Sequence, residues 1–397
     1  MMPRIRSLLL ACALTSALVI PEIARAVDLT IVGVEPPRHA LRASVSTPIV
    51  IHFDQPILPE SIESGRELWA FGRWSGTVQG TYELSNGNRT VTLSPDNPFS
   101  AGETVMVIIS HNVEAVDGSR LRDGGYSYQF WTAAGRNMRG YQQIDVLTTR
   151  TSPFQSSRAY GGIASDLNGD RFLDITIVNE DTADLRVFLN RADRTGLFDE
   201  FIEPPSPVND RASPSEPADF NHDGHTDICV ANINTNSVSI LLGNGDGTFA
   251  PQQQIAVGNA PRGIAVLDVD GDGDIDIVNT NSFSSNLSVL LNNGAGVFGS
   301  PTFFEGGGNG EWALAAADMN DDGLLDLVVG AQNSREILVN TANGDGTFSL
   351  ASTTDSGGRV WMLVCGDVNG DGTEDVAVVN SSTNNGAILI GNGKGGL

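Results

Sequence analysis

From residue 27 onward, apolar and polar positions alternate in short runs, and no stretch keeps a helical period. Ile49-Val50-Ile51-His52-Phe53-Asp54 alternates as a half-buried strand does. Similar runs lie at Val27–Val32, Pro48–Phe53, Glu67–Phe71, Thr90–Leu93, Thr104–Ile109 and Tyr126–Trp131. Asn86-Gly87 and Asp117-Gly118 supply turn signals between them. This density of strands predicts an Ig-like β-sandwich over 27–135, followed by a short polar linker at 136–140.

The pattern over 141–397 is different because it repeats. A small-residue strand comes first (Gly263-Ile-Ala-Val-Leu267), then a strand like Ile275–Val278, then a third like Leu287–Leu291. A Gly-rich hairpin follows, as at Gly243–Gly247 before Thr248-Phe249, and leads into a fourth strand. Four short strands per roughly 50 residues predict one propeller blade per repeat. The fold class is therefore all-β, with a sandwich followed by a β-propeller of five visible four-stranded repeats. Ser213-Pro-Ser-Glu-Pro217 reads as a poor strand, because two prolines cannot donate to a ladder. The series opens at Tyr141–Val146, which matches the fourth-strand segment Gln252–Val257, and ends on a third strand near Ile388–Ile390. Segment 141–148 is thus expected to complete the last blade and close a five-bladed ring, the alternative being a piece of a larger propeller.

Each repeat contains a nine-residue phrase, Asp-x-(Asn/Asp)-x-Asp-x-x-x-Asp, beginning at Asp166, Asp219, Asp268, Asp318 and Asp367. Side-chain oxygens at positions 1, 3, 5 and 9 suit a hard cation. Charge is distributed to match. Residues 27–150 carry 13 acids and 10 bases, whereas 151–397 carry 34 acids and 10 bases, and 16 of those 34 stand at the phrase positions. Carboxylates crowded this closely repel one another unless a cation sits among them. The acidic surface disfavours nucleic acid and anionic membranes as partners. Position 6 is Gly224, Gly273, Gly323 and Gly372 in four repeats, as a positive φ requires, but Arg171 in the first. An EF-hand is excluded: position 12 is Ile177, Val230, Asn279, Val329 or Val378, where a Glu is needed.

These phrases, with Asn-Gly-Asp-Gly-Thr-Phe hairpins downstream, resemble the FG-GAP/VCBS repeats of calcium-binding β-propellers such as integrin α-subunit heads. The resemblance covers 141–397. It implies Ca2+ at up to five loops, held by Asp166, Asn168, Asp170 and Asp174; by Asp219, Asn221, Asp223 and Asp227; by Asp268, Asp270, Asp272 and Asp276; by Asp318, Asn320, Asp322 and Asp326; and by Asp367, Asn369, Asp371 and Asp375. The carbonyl of position 7 would complete each ring. Repeat 1, with Arg171, is expected to bind weakest and repeat 3, with four carboxylates, tightest. The segment around Phe53-Asp54-Gln55-Pro56-Ile57 and Tyr128–Thr132 resembles the bacterial Ig-like domains of S-layer and other surface proteins.

Six residues before each phrase stand Tyr160, Ser213, Arg262, Trp312 and Trp361, at the blade ends opposite the acidic loops. With amide- and hydroxyl-rich turns nearby, Tyr160, Arg262, Trp312 and Trp361 are candidates for a face that binds an extracellular protein or a glycan. No nucleophile elbow, zinc-protease helix or phosphate loop is present, so no catalytic role is expected. His39, His52 and His111 read as isolated core or surface histidines; His222 and His225 lie inside the second phrase, whose oxygens outweigh a zinc reading. Arg4 and Arg6, the apolar run Leu8–Ile20 and Ala24-Arg25-Ala26 read as a signal peptide over 1–26, which implies export to the cell surface or beyond and no membrane insertion after cleavage. Cys229 and Cys365 fall at different positions of different repeats and are expected to be free thiols.

Overall fold

The computed structural model describes residues 28–62, 65–135 and 143–397. The expected signal segment, the linker 136–140, and Tyr141 and Gln142 lie outside the described residues. The described residues form strands and turns apart from one 3-10 turn, Pro59–Ser61, and no helix among them is long and apolar enough to cross a membrane.

Eight strands build the N-terminal unit: β1 (Ile31–Glu35), β2 (Ile49–Phe53), β3 (Leu68–Gly72), β4 (Gly76–Thr77), β5 (Gly80–Ser85), β6 (Thr90–Pro95), β7 (Thr104–Ile109) and β8 (Tyr126–Trp131). They make two antiparallel sheets, ordered β1-β2-β6-β5 and β4-β3-β7-β8. Asn86, Gly87 and Asn88 all have positive φ in the four-residue turn that joins β5 to β6, where Ser85 pairs with Thr90. Alternate residues meet between the sheets: Ile49, Ile51, Phe53, Val91 and Leu93 against Leu68, Ala70, Val105, Val107 and Phe130.

The second sheet is apolar on its other face too. Trp69, Phe71, Met106 and Ile108 alternate with those core residues and are buried among strands of the propeller repeats. Every residue of β3 is consequently buried. Each such side chain contributes about 1.5–3 kcal/mol when fully withdrawn from water, so this sheet holds the sandwich to the repeats.

The repeats form five blades. Blade 1 is β9 (Ala159–Ser165), β10 (Asp174–Asn179), β11 (Asp184–Phe188) and β12 (Ser206–Pro207). Blade 2 is β13 (Ala212–Ala218), β14 (Asp227–Asn232), β15 (Ser237–Leu241) and β16 (Gln253–Ala256). Blade 3 is β17 (Pro261–Leu267), β18 (Asp276–Asn281), β19 (Asn286–Leu290) and β20 (Thr302–Phe304). Blade 4 is β21 (Glu311–Ala317), β22 (Asp326–Ala331), β23 (Glu336–Ala342) and β24 (Phe348–Asp355). Blade 5 has three strands, β25 (Val360–Gly366), β26 (Asp375–Asn380) and β27 (Asn385–Leu389). First strands stand side by side from β9 to β25, giving a propeller-like arc. Cys229 and Cys365 are free and lie in different blades.

Two expectations are corrected. The proline-rich segment is a strand after all, β13, paired to β14 with a register shift between Ala212 and Ser215. It tolerates proline because it is the edge strand of its sheet and because Pro214 falls in the irregularity. The expected closing strand is not formed either. Residues 143–150 have no strand structure and run against blade 1, where the buried Arg186 donates to the Thr149 carbonyl at 2.6 Å. A buried guanidinium needs acceptors, and that irregular segment supplies one. Among the described residues the ring is therefore not closed. On blade 5, Met362, Val364, Val379 and Ile388 remain between 57% and 60% exposed, at positions one repeat beyond Ala313, Ala315, Gly330 and Val339 of blade 4.

Candidate functional site

Each acidic phrase connects the first and second strands of its blade, and the five loops share one hydrogen-bond pattern. The position-9 carboxylate is buried and braced twice. Its Oδ2 accepts the N–H of position 2 (Leu167, Phe220, Val269, Met319 and Val368) at 2.8–3.1 Å. Its Oδ1 accepts the N–H at or just past the end of the third strand (Asn190, Gly243, Asn292, Ala342 and Gly391) at 2.7–2.8 Å. The position-1 aspartate accepts the position-6 N–H, from Arg171 at 2.8 Å to Gly273 at 3.0 Å. Position 5 accepts the position-7 N–H at 2.8–2.9 Å in all five. The carboxylates at positions 1, 5 and 9 of each loop are thus braced by backbone N–H groups.

Position 6 has positive φ in every repeat, including Arg171 at 69°. Position 4 does as well: Gly169, Gly271 and Gly370, but also His222 and Asp321. That second left-handed position was not identified from the sequence, although three glycines there were its signal. Both exceptions are held by contacts. His222 Nε2 lies 2.8 Å from Asp274 Oδ1, with its ring edge-on to Trp69; Asp321 Oδ1 lies 3.1 Å from His39 Nε2.

Repeat 3 differs in charge. Elsewhere the position-3 asparagine donates to the position-5 carboxylate, as Asn221 does to Asp223 at 2.8 Å. Here Asp270 replaces it, and its Oδ1 is buried without a partner. Oxygens of Asp268, Asp270 and Asp276 lie within 4.8 Å of one another. Burial first, and neighbouring carboxylates after it, raise Asp268 and Asp276 well above the ordinary carboxylate range. Burial also pushes Asp174 and Asp318 up to about 6, Asp326 to about 7 and Asp227 to about 8. These residues, with Asn168, Asn221, Asn320, Asn369, Asp170, Asp322, Asp371 and Asp375 at the equivalent places, are the ones that could hold cations.

The sandwich sits on these loops. Trp69 Nε1 donates to Gly273 O at 2.9 Å, Ser110 Oγ to Asp272 O at 2.8 Å, Arg122 Nη2 to Asp322 O at 2.6 Å and Thr77 Oγ1 to Asp219 Oδ2 at 2.6 Å. His39, expected to be isolated, is buried between Glu374 Oε1 at 2.6 Å and Asp321. Burial opposes its charge, but the bond to Glu374 and the surrounding acids keep its pKa above the usual value. Nothing local in the sequence marks these contacts, which join residues 142 to 335 positions apart.

At the opposite blade ends, the candidate face is partly assembled. Trp312 and Trp361 pack in a tilted pair, ring centroids 5.2 Å apart and planes 36° from parallel, and the Arg262 guanidinium lies 3.9 Å from the Trp312 ring centre. Burial lowers the Arg262 pKa, with Tyr160 the nearest counter-influence. Ser213 is buried and breaks the row between Tyr160 and Arg262.

A family model described as an FG-GAP-like repeat matches residues 166–230, 219–279, 268–329 and 318–378, and one for a bacterial Ig-like domain matches 26–132. No curated protein matches. Among solved structures, an Agrocybe aegerita lectin described as recognising non-reducing terminal N-acetylglucosamine is 18% identical over 83% of this chain and 87% of its own, with a TM-score of 0.43. A protein from Lactobacillus plantarum is 16% identical over 83% and 93%, at 0.45. A periplasmic gluconolactonase from Pseudomonas aeruginosa is 14% identical over 71% of each chain, at 0.40. With repeat matches running from 166 to 378 and the Ig-like match ahead of them, the chain belongs to the FG-GAP-like repeat proteins and carries a bacterial Ig-like domain at its N-terminal side.

Proposed function

We propose that this chain is an exported, calcium-stiffened recognition protein without catalytic function. The observation that carries the reading is repeat 3, where two buried carboxylates and the half-buried Asp270 converge and one Asp270 oxygen is left without a partner. A divalent ion coordinated by oxygens supplies the missing counter-charge, and the recurrence of the same braces in all five loops supports similar use of the other four. Asp268, Asp270, Asp272 and Asp276 hold the tightest ion. Repeat 1 is the weakest site, because Arg171 places a cation beside it and costs on the order of 1 kcal/mol at positive φ. Bound ions fix the loops, and the loops seat the sandwich. The partner, an extracellular protein or a glycan, meets the opposite blade ends at Tyr160, Arg262, Trp312 and Trp361. A second reading, a lectin-like module or the non-catalytic part of a larger surface assembly, is favoured by the paired tryptophans Trp312 and Trp361.

The test is metal analysis of purified protein together with melting curves in calcium and in EDTA. Bound calcium and a large drop in melting temperature on chelation are expected. Metal-free protein with an unchanged melting temperature would remove the reading.

A further inference from the structure

The blade ends opposite the acidic loops hold a cleft between blades 2 and 3, lined by Arg211, Asn234, Asn236, Asn259, Arg262 and Phe283 among others. Its chemistry runs against that of the rest of the repeats. Although 151–397 holds 34 acids against 10 bases, no carboxylate lines this cleft and two arginines do. Arg211 has a distant counter-charge, Glu180 at 3.8 Å, which is shared with Arg158. Arg262 has neither a hydrogen bond nor an ion pair among the described residues, and its Nε is buried without an acceptor. Its one strong contact is the face of Trp312, which holds the guanidinium flat and leaves its N–H edge uncommitted.

The remaining lining is equally specific. Asn236 uses its carbonyl oxygen to accept the Ala260 N–H at 2.9 Å, and no acceptor for its NH2 group lies among the described residues. The side-chain amide of Asn259 has no hydrogen bond there either; only its backbone is used, its N–H donating to Ser284 Oγ and its carbonyl accepting the Phe283 N–H. Phe283 stands at the rim, 78% exposed, and offers an apolar ring face to whatever enters the cleft. A fixed guanidinium edge selects a carboxylate. Free amides match vicinal hydroxyls, and an exposed ring matches the C–H face of a sugar.

We propose that this cleft binds an acidic sugar, with the uronate-type carboxylate on Arg262 and Arg211, the hydroxyls on Asn236 and Asn259, and the ring against Phe283. The proposal rests on the recognition reading above for the choice of face, but not on calcium. An acidic peptide would satisfy the arginines and leave the amides and the aromatic rim unused.

The test is isothermal titration of the full chain, in calcium, with a β-1,4-linked glucuronate tetramer, the matching glucose tetramer and hexaglutamate. The glucuronate tetramer is expected to bind, and each comparison ligand to bind about tenfold or more weakly. Arg262→Gln and Phe283→Ala should each weaken the glucuronate by a similar factor, Arg262→Lys less, and Lys394→Gln not at all. Phe283 is too exposed for its loss to unfold the chain, so that variant stays informative if Arg262→Gln misfolds. Equal binding of the glucose tetramer would overturn the acidic specificity while leaving the recognition face standing. Equal binding of hexaglutamate would replace the sugar with a peptide. No binding of any of the three would overturn the proposal, and the melting response to EDTA would still judge calcium independently.

Discussion

The two ends of the blades solve opposite problems. At one end, five loops gather carboxylates, several of whose pKa values burial drives upward in repeats 1 to 4, and the sandwich seats on the loops of repeats 2 to 4. At the other, arginine, asparagine and aromatic side chains face open clefts. The first strand of each blade runs between the two, so one repeat unit delivers an acidic loop at one end and, between blades 2 and 3, a carboxylate-free cleft at the other.

The contrast can be broken most forcefully from the acidic end. At calcium a hundredfold above Kd, each occupied loop adds about 2.7 kcal/mol, so emptying several should lower the melting temperature by about 10 °C or more. In EDTA the pH dependence should also reverse that of ordinary acid denaturation. Asp227, Asp326, Asp318 and Asp174 sit at about 8, 7, 6 and 6 when folded, against an ordinary 3.8. A raised folded pKa gives stability that is complete below the unfolded value and lost as pH climbs through the folded one. Melting in EDTA should therefore fall between pH 5 and pH 8, with calcium abolishing the slope. A flat profile in EDTA would mean these carboxylates are not buried as described.

Next in size is the cover itself. Trp69→Ala removes a buried indole and its bond to Gly273, and should cost about 3–5 kcal/mol in urea unfolding. A cost near zero would mean that the domains do not depend on each other. Smaller and more diagnostic is Asp270→Asn. Without metal it relieves a buried unpartnered oxygen and should stabilise by about 1–2 kcal/mol, whereas in calcium it removes a charge from the tightest loop and should destabilise. The same sign in both conditions would deny repeat 3 its ion. Smallest is Arg171→Gly, which relaxes a positive φ and should add about 0.5–1 kcal/mol; a loss would mean that the Arg171 side chain is doing something else.

How far the sequence reached depended on how local each feature was. The runs Pro48–Phe53, Thr90–Leu93, Thr104–Ile109 and Tyr126–Trp131 all fall on observed strands, because alternation is fixed by the two-residue repeat of a strand. The phrases placed the loops and the left-handed position 6, because a steric rule applies residue by residue. Prolines misled at β13, since an edge strand needs only half its ladder. The seating of the sandwich could not be placed, although Leu68-Trp-Ala-Phe and Val105-Met-Val-Ile-Ile are unbroken apolar runs, a pattern that belongs to sheets covered on both faces. Which surface would do the covering is a matter of tertiary geometry, as is the placing of His39 between Glu374 and Asp321.

That doubly covered sheet has a practical corollary. A cut at the junction would not release two soluble modules: Trp69, Phe71, Met106 and Ile108 on one piece, and the strands they lie against on the other, would be wetted together. Truncation at the boundary between the two matched families would therefore yield two sticky fragments. The smallest unit worth expressing, immobilising or grafting onto another scaffold is the pair.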